Sequence, residues 1–338
     1  MEPLLQKILV VGGNGFVGSA VCKAALARGM QVTSISTSGR PYTTPKGHSP
    51  AWTSKVNWQV GNALKPDTYA HLLRDKTAVV HTLGTLFEDT QYKNTLKEGN
   101  VSALAKIFIS NCAKEVNGSS GGNPLAEPGR KEDGYEKLNK EAALQVCETF
   151  LSTQPPSTPS LPNPRAFVYV SAEDIFRPFI SARYITTKRE TELSIRSMVR
   201  NRPEAGVREV FVRPSLIYHP HFRPLTSPVA ALLDLSATIH STIPRGLPSP
   251  AALLRTIASA SSRSESLVNA SPLDSVANAL TIPPIHVDHV AEVICIAMDN
   301  ERADVRGVYG VNDIRELIGW HEKGQEPVGG GHRHLQHS

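Results

Sequence analysis

Short runs of β-branched and aliphatic residues alternate along this chain with longer stretches in which apolar residues recur every three or four positions. Ile8-Leu9-Val10-Val11 predicts a buried strand, and Val17, Val21, Ala24, Ala25 and Leu26 follow it at helical spacing. Residues 30–36, with β-branched side chains in alternation, predict a second strand, and 56–60 a short third. A short helix is expected over 69–75. The run 78–84 reads as a fourth strand, apolar as a parallel strand covered on both faces should be. Helical spacing returns at 98–113 and 135–151, a fifth strand at 166–171, a helix from an N-cap at Ser181 to about Arg200, and a sixth strand at 207–212. Strands alternating with helices predict an α/β fold with a doubly wound parallel sheet.

The pattern loosens after Tyr218. Residues 219–228 form a proline-rich loop, 229–239 are apolar with one Asp234, and 244–272 are rich in Ser, Pro and Arg. Pro283-Pro284-Ile285-His286-Val287 and a helix over 288–298 restore regularity, and 308–311 read as a last short strand. The expected organisation is a nucleotide-binding domain over 1–218, with surface insertions near 117–134 and 152–165. A smaller lobe over 219–320 carries a Ser/Pro-rich insertion near 244–275, and 321–338 form a disordered tail.

The join between the first strand and the first helix is Gly12-Gly13-Asn14-Gly15-Phe16-Val17-Gly18. Strand, tight glycine turn and helix open a dinucleotide-binding βαβ unit of Rossmann type. Gly12 lets the chain turn off the strand, Gly15 keeps side chains away from a diphosphate, and Gly18 lets the helix pack close. The helix N-terminus then offers amides and a partial positive charge to phosphate through Asn14, Phe16 and Val17. An acid at the end of the second strand would hold an adenosine ribose and repel a 2′-phosphate. Between Gln31 and Pro66 there is no Asp or Glu, and the strand ends Ser36-Thr37-Ser38-Gly39-Arg40. Ser36 and Arg40 therefore favour NADP(H) over NAD(H). Asn62 is a candidate for the adenine edge, although an Asn after a strand is commonly turn chemistry. Leu83, at the end of the fourth strand, should face the cofactor.

Tyr184-Ile185-Thr186-Thr187-Lys188 sets a phenol and an ammonium one helical turn apart on one face. A cation beside a phenol favours phenolate, so Tyr184 is the candidate acid or base. Ser171 would hydrogen-bond a reacting carbonyl, Lys188 would also hold a nicotinamide ribose, and Asn100 would complete a water relay to Lys188. Spacing alone is weak evidence, because Tyr42 and Lys46 share it in a proline-broken loop. The pairs His219/His221 and His286/His289 and the trio His332, His334 and His337 lie in a loop, at a helix start and in a tail, so no metal site is expected.

A net charge of +5 over 338 residues is mild and spread out, which argues against nucleic acid. The four cysteines, Cys22, Cys112, Cys147 and Cys295, form no CxxC pair and read as reduced, buried thiols. No stretch reaches the roughly 18 apolar residues of a membrane span. The basic, weakly amphipathic 229–255 segment is a candidate for peripheral contact with a membrane surface. The first seven residues are neither a secretory signal nor an ordinary transit peptide, so any organelle address is expected to be unconventional or absent.

Together these residues resemble the extended, and particularly the atypical, short-chain dehydrogenase/reductases. The carriers are Gly12-x-x-Gly15-x-x-Gly18, Asn100-Val101, Ser171, Tyr184-x-x-x-Lys188, Arg213-Pro214-x-x-x-Tyr218 and Pro284-Ile285-His286-Val287-x-x-Val290-Ala291. The resemblance implies catalytic roles for Tyr184, Lys188, Ser171 and Asn100. Within that superfamily the chain is most similar to fungal mitochondrial proteins linked to ubiquinone biosynthesis, relatives of the NADPH-binding accessory subunit of respiratory complex I. That likeness implies a matrix-side, inner-membrane-associated protein, with ubiquinone-biosynthesis enzymes or an inner-membrane complex as partners. It implies either a reductase or a non-catalytic assembly subunit. A soluble nucleotide-sugar epimerase or dehydratase is the third reading, weakened because Ser171 is followed by Ala172-Glu173-Asp174.

Overall fold

The computed structural model describes residues 5–84, 136–153, 163–175, 177, 182–221, 226–244, 249–261 and 271–320. A sheet of seven parallel strands organises them: β1 (Lys7–Val11), β2 (Gln31–Ser36), β3 (Asn57–Val60), β4 (Ala78–His81), β5 (Arg165–Val170), β6 (Val207–Val212) and β9 (Gly307–Tyr309), in the order β3-β2-β1-β4-β5-β6-β9. This is the expected doubly wound sheet, and its order reverses direction at β1.

Alternation along each strand sorts the core into two layers. Ile8 and Val10 of β1, Ala78 and Val80 of β4, and Ala166 and Val168 of β5 face one side. There they meet α1 (Phe16–Ala27) and α7 (Val287–Met298). Leu9, Val11, Val79, Phe167 and Tyr169 face the other side, toward α2 (Ala142–Leu151) and α3 (Ala182–Arg200). Each buried Val, Leu, Ile or Phe among them contributes about 1.5–3 kcal/mol, so the continuous apolar runs fix which strands lie in the middle.

α7 is remote in sequence but packs on α1. Gln6 Nε2 donates to Asp299 Oδ1 at 2.7 Å, and Arg28 pairs with Glu292. β9 then pairs with β6, Val212 lying opposite Tyr309. Between these returns the chain forms a two-stranded parallel ribbon, β7 (Ile217–Tyr218) and β8 (Ile285–His286). It also forms three helices, α4 (Thr226–Thr242), α5 (Pro250–Ser261) and α6 (Pro272–Thr281), with α6 packed against both others. The last helix is α8 (Val311–Leu317). Among the described residues no helix is long and apolar enough to cross a membrane.

Local structure departs from expectation in three places. Residues 69–75 form tight 3-10 turns rather than an α-helix. The expected 135–151 helix opens with a π-helical turn, Glu136–Glu141, before α2. The Ser/Pro-rich stretch contains α5 and α6, because its prolines and serines mark helix starts. Ser249 Oγ accepts from the Ala252 N–H ahead of Pro250, and Ser271 Oγ accepts from the Leu273 N–H ahead of Pro272. The expected 98–113 helix, the N-cap at Ser181, the 117–134 insertion and the 321–338 tail lie outside the described residues.

Candidate functional site

The glycine turn closes β1 onto α1 through backbone contacts. Gly12 has φ +89°, a conformation that disfavours side chains, and its N–H donates to Ile35 O at 2.9 Å. Gly15 N–H donates back to Gly12 O at 2.9 Å, and Ser19 N–H to Gly15 O at 2.9 Å. A Cβ on Gly18 would run into the Gly12 carbonyl and lie 2.8 Å from Gly13 Cα, so the first turn of α1 rests directly on the loop. A Cβ on Gly15 would approach only Gly12 O, at 3.2 Å. No side chain caps α1 and its first turn holds no acid, which leaves its positive end for an anion.

The tip of β2 folds over this turn. Asn14 Nδ2 donates to Ser36 Oγ at 3.3 Å and to Ser38 Oγ at 3.4 Å. Those hydroxyls in turn accept from the Gly39 N–H at 3.1 Å and the Arg40 N–H at 3.3 Å. The result is an acid-free cradle of hydroxyls and amides, with Arg40 exposed beside it. Asn62 lies after β3, and its Oδ1 accepts from the Leu64 N–H at 3.0 Å, which is turn chemistry.

The end of β4 links this cradle to the proposed chemistry. Leu83 covers Gly12, its Cδ2 lying 2.6 Å from where a Gly12 Cβ would stand. Thr82 Oγ1 donates to Val11 O at 2.8 Å. At the next residue, a Cβ on Gly84 would meet Asn139 Oδ1 at 3.0 Å and Lys188 Nζ at 3.2 Å. Glycine turn, Leu83, Gly84 and Lys188 therefore form one continuous track.

Tyr184, Thr187, Lys188 and Thr191 lie buried along α3. Lys188 Nζ donates to Val170 O at 2.9 Å and sits 4.6 Å above the Tyr169 ring. Burial drives its pKa down to about 7, with Glu192 opposing and Arg189 adding to the shift. Tyr169 OH donates to Asn139 O at 2.6 Å, and Thr191 Oγ1 to the same oxygen at 3.3 Å. Asn139 belongs to the π-helical turn, a distortion that recurs at functional sites. His81, at the end of β4, is wholly buried beside Tyr169, with ring centroids 5.9 Å apart.

Ser171 ends β5 but its hydroxyl is engaged. Arg189 Nη1 donates to Ser171 Oγ at 3.3 Å and to Glu192 Oε1 at 2.9 Å, and Arg189 Nη2 donates to Ala172 O at 2.9 Å. Arg213 clasps Glu192 through both carboxylate oxygens. Burial works against the Glu192 charge, yet the Arg213 hydrogen bond and the Arg189 charge hold its carboxyl below the usual range. Burial raises neighbouring Glu173, against Arg189 and Arg213.

Two neighbourhoods thus hold the expected residues. Gly12, Asn14, Gly15, Phe16, Val17, Gly18, Ser36 and Arg40 stand at the turn and cradle; Ser171, Tyr184 and Lys188 stand at the ends of β5 and on α3, with Leu83 between. Asn100 lies outside the described residues. Asn139 and His81 were missed. The sequence held a signal for each: an Asn one turn before the apolar stripe of the helix that leads into β5, and a His closing an otherwise apolar central strand. Among the described residues no group of His, Cys, Asp or Glu is arranged to hold a metal ion.

Comparison with known proteins agrees with this geometry. Residues 8–117 match the NAD dependent epimerase/dehydratase family. MIOREX complex component 2 of Saccharomyces cerevisiae is 33% identical over 221 residues, covering 64% of this chain and 75% of that protein. A chloroplastic protein of Arabidopsis thaliana is 40% identical over 105 residues, 30% of this chain and a third of its own length (33%). In fold, BdcA in complex with NADPH superposes with a TM-score of 0.53 at 13% identity, covering 90% of this chain and 92% of that one. Sharing a glycine turn inside the matched family segment, a seven-stranded parallel sheet and a relative aligned over three quarters of its length, the chain belongs to the NAD-dependent epimerase/dehydratase family, as an atypical short-chain dehydrogenase/reductase-like protein.

Proposed function

We propose that this protein binds NADP(H) and acts as an atypical reductase in mitochondrial ubiquinone biosynthesis, on the matrix side of the inner membrane. The observation that carries the chemistry is the track from Gly12 through Leu83 and Gly84 to Lys188. It lets one extended dinucleotide rest its diphosphate on the glycine turn and its nicotinamide end near Tyr184. The fit is supported by the turn itself, where a side chain at Gly12 would collide with Leu83 and one at Gly18 with the Gly12 carbonyl. The preference for the phosphorylated nucleotide rests on the acid-free Ser36, Ser38 and Asn14 cradle with Arg40 beside it.

A bound nicotinamide would supply hydride to a carbonyl or conjugated alkene. In this reading Tyr184 holds the proton for the developing oxyanion, and Lys188 favours the phenolate that remains. Lys188 also orients the ribose, and Asn139 lines the space beside it. Mass identification of the nucleotide that co-purifies with the full chain tests the binding. Measuring ubiquinone in cells carrying only Tyr184→Phe tests the chemistry: levels equal to the parent would refute a catalytic Tyr184.

A second reading is favoured by Ser171. Its oxygen accepts from Arg189 and its hydroxyl is also hydrogen-bonded with the Glu192 carboxylate, so a substrate carbonyl must compete with that carboxylate for its one proton. In that reading the nucleotide is structural and the chain is an assembly subunit, in keeping with the name of its yeast relative. The aliphatic face of α4, Val229, Leu232, Leu235 and Ile239, gives the 229–255 segment a means of touching a lipid surface. Liposome flotation that leaves the protein in the soluble fraction would remove that contact.

A further inference from the structure

Most polar side chains around Lys188 have committed partners. Tyr169 OH serves Asn139 O, Thr191 Oγ1 serves Thr187 O at 2.7 Å, and Val170 O takes one of the three N–H donors of Lys188. His81 is the exception among the described residues. It has no exposed surface, and neither Nδ1 nor Nε2 has a hydrogen-bond partner on another described residue, its own backbone being the polar group that acts on the ring. Its strand neighbour in register is Tyr169, the ring over which the Lys188 ammonium sits.

An unpartnered imidazole in a sheet core is a poor packing choice. A leucine of similar bulk would leave nothing unsatisfied and would fold as well or better. The imidazole differs from leucine in one relevant respect, a lone pair on a neutral ring in a low-dielectric space beside a buried cation. We propose that His81 is a positioning residue for Lys188, a neutral base that helps keep Lys188 in its ammonium form at the catalytic end of the site. This rests on the Tyr184–Lys188 reading above.

The electrostatics agree. Burial and the Lys188 charge hold His81 down to about 3, so the ring stays neutral while Lys188 carries the proton. The other charged and titratable groups around Lys188 are Glu192 and Arg189 on α3 and Tyr169 on β5, which in turn feels Tyr184. Of these, Glu192 favours the ammonium and Arg189 opposes it, and Glu192 is itself committed to Arg213. A neutral base can stabilise the ammonium without adding a second charge to the cavity.

The test reads Lys188 directly. Full-length protein carrying 13Cε-labelled lysine is titrated by NMR, the Lys188 resonance being the one absent from Lys188→Met. In His81→Leu that resonance should titrate about one pH unit lower than in the parent, tenfold in proton affinity, while thermal stability holds or rises. His81→Gln, which restores a polar acceptor, should recover most of the shift. An unchanged or upward-shifted Lys188 titration in His81→Leu overturns the proposal. Should that variant not fold, His81→Met is read in the same way. NADPH binding is measured in parallel by fluorescence. A lowered Lys188 titration in His81→Leu, with a parent that binds no nucleotide, would leave this inference standing and defeat the proposed function; normal parental binding with an unmoved titration in His81→Leu would do the reverse.

Discussion

Gly15 and Gly18 stand three residues apart in one turn, yet alanine should act on them through different physics. At Gly18 the new Cβ would run into Gly12 O and lie 2.8 Å from both the Gly12 carbonyl carbon and Gly13 Cα, all backbone atoms that cannot rotate away. Overpacking of that kind costs about 1–3 kcal/mol, and the gain in helix propensity returns only about 1 kcal/mol. Gly18→Ala should therefore melt a few degrees lower and bind nucleotide poorly. At Gly15 the backbone is extended, with φ −81°, and the Cβ would meet only Gly12 O at 3.2 Å. Replacing a glycine N-cap by alanine costs under about 1 kcal/mol, so Gly15→Ala should keep a nearly parental melting temperature. It should still lose at least about tenfold in NADPH affinity, because the methyl occupies the space a diphosphate needs against the helix amides. Differential scanning fluorimetry and NADPH fluorescence titration read the two effects separately. Parental NADPH affinity in Gly15→Ala would refute a diphosphate at this turn, and a melting temperature unaltered in Gly18→Ala would refute the packing argument.

Three further outcomes follow from the same structure. Arg40→Ala should reduce the preference for NADPH over NADH by about tenfold without changing NADH affinity, as read by parallel fluorescence titrations. Arg165→Leu should cost at least about 3 kcal/mol in urea denaturation, because the wholly buried guanidinium serves the Phe150, Thr153 and Ala205 carbonyls. Burial lowers the pKa values of His219 and His289 below the ordinary 6.5, so the unfolded chain binds more protons than the native one near that pH. Stability should fall as pH drops through 6.5 and below, and His289→Phe should flatten that loss in melts recorded from pH 8 to 5.

Much of the architecture was legible because it rests on local signals. The β1 to α1 turn announces itself through three glycines between an apolar run and a helical period, and the alternation of strands and helices dictates a parallel sheet. Less legible was anything whose meaning depends on distant packing. The pairing of β9 with β6 cannot be read from Gly307-Val308-Tyr309 alone, since three residues carry too little pattern. α5 escaped because Ser and Pro around it read as loop composition, although Ser249 and Pro250 are its start signals. Asn139 sits inside an expected helix with no local mark strong enough to set it apart, and only the fold brings its carbonyl against Tyr169 and Thr191 beside Lys188. The engagement of Ser171 by Arg189 was invisible for another reason: Arg189 and Glu192 look like an ordinary surface pair until Arg213 arrives from the next strand.

The return of α7 to α1 sets a condition on when this molecule is complete. The layer that backs the first strand and the first helix is closed by Val290, Ile294 and Met298, nearly three hundred positions downstream of Gln6, whose amide meets Asp299. A nascent chain leaving the ribosome thus displays the oily underside of its nucleotide half until α7 has emerged. Fragments ending near residue 218 should stick to chaperones and precipitate, whereas the full-length chain buries that surface within itself.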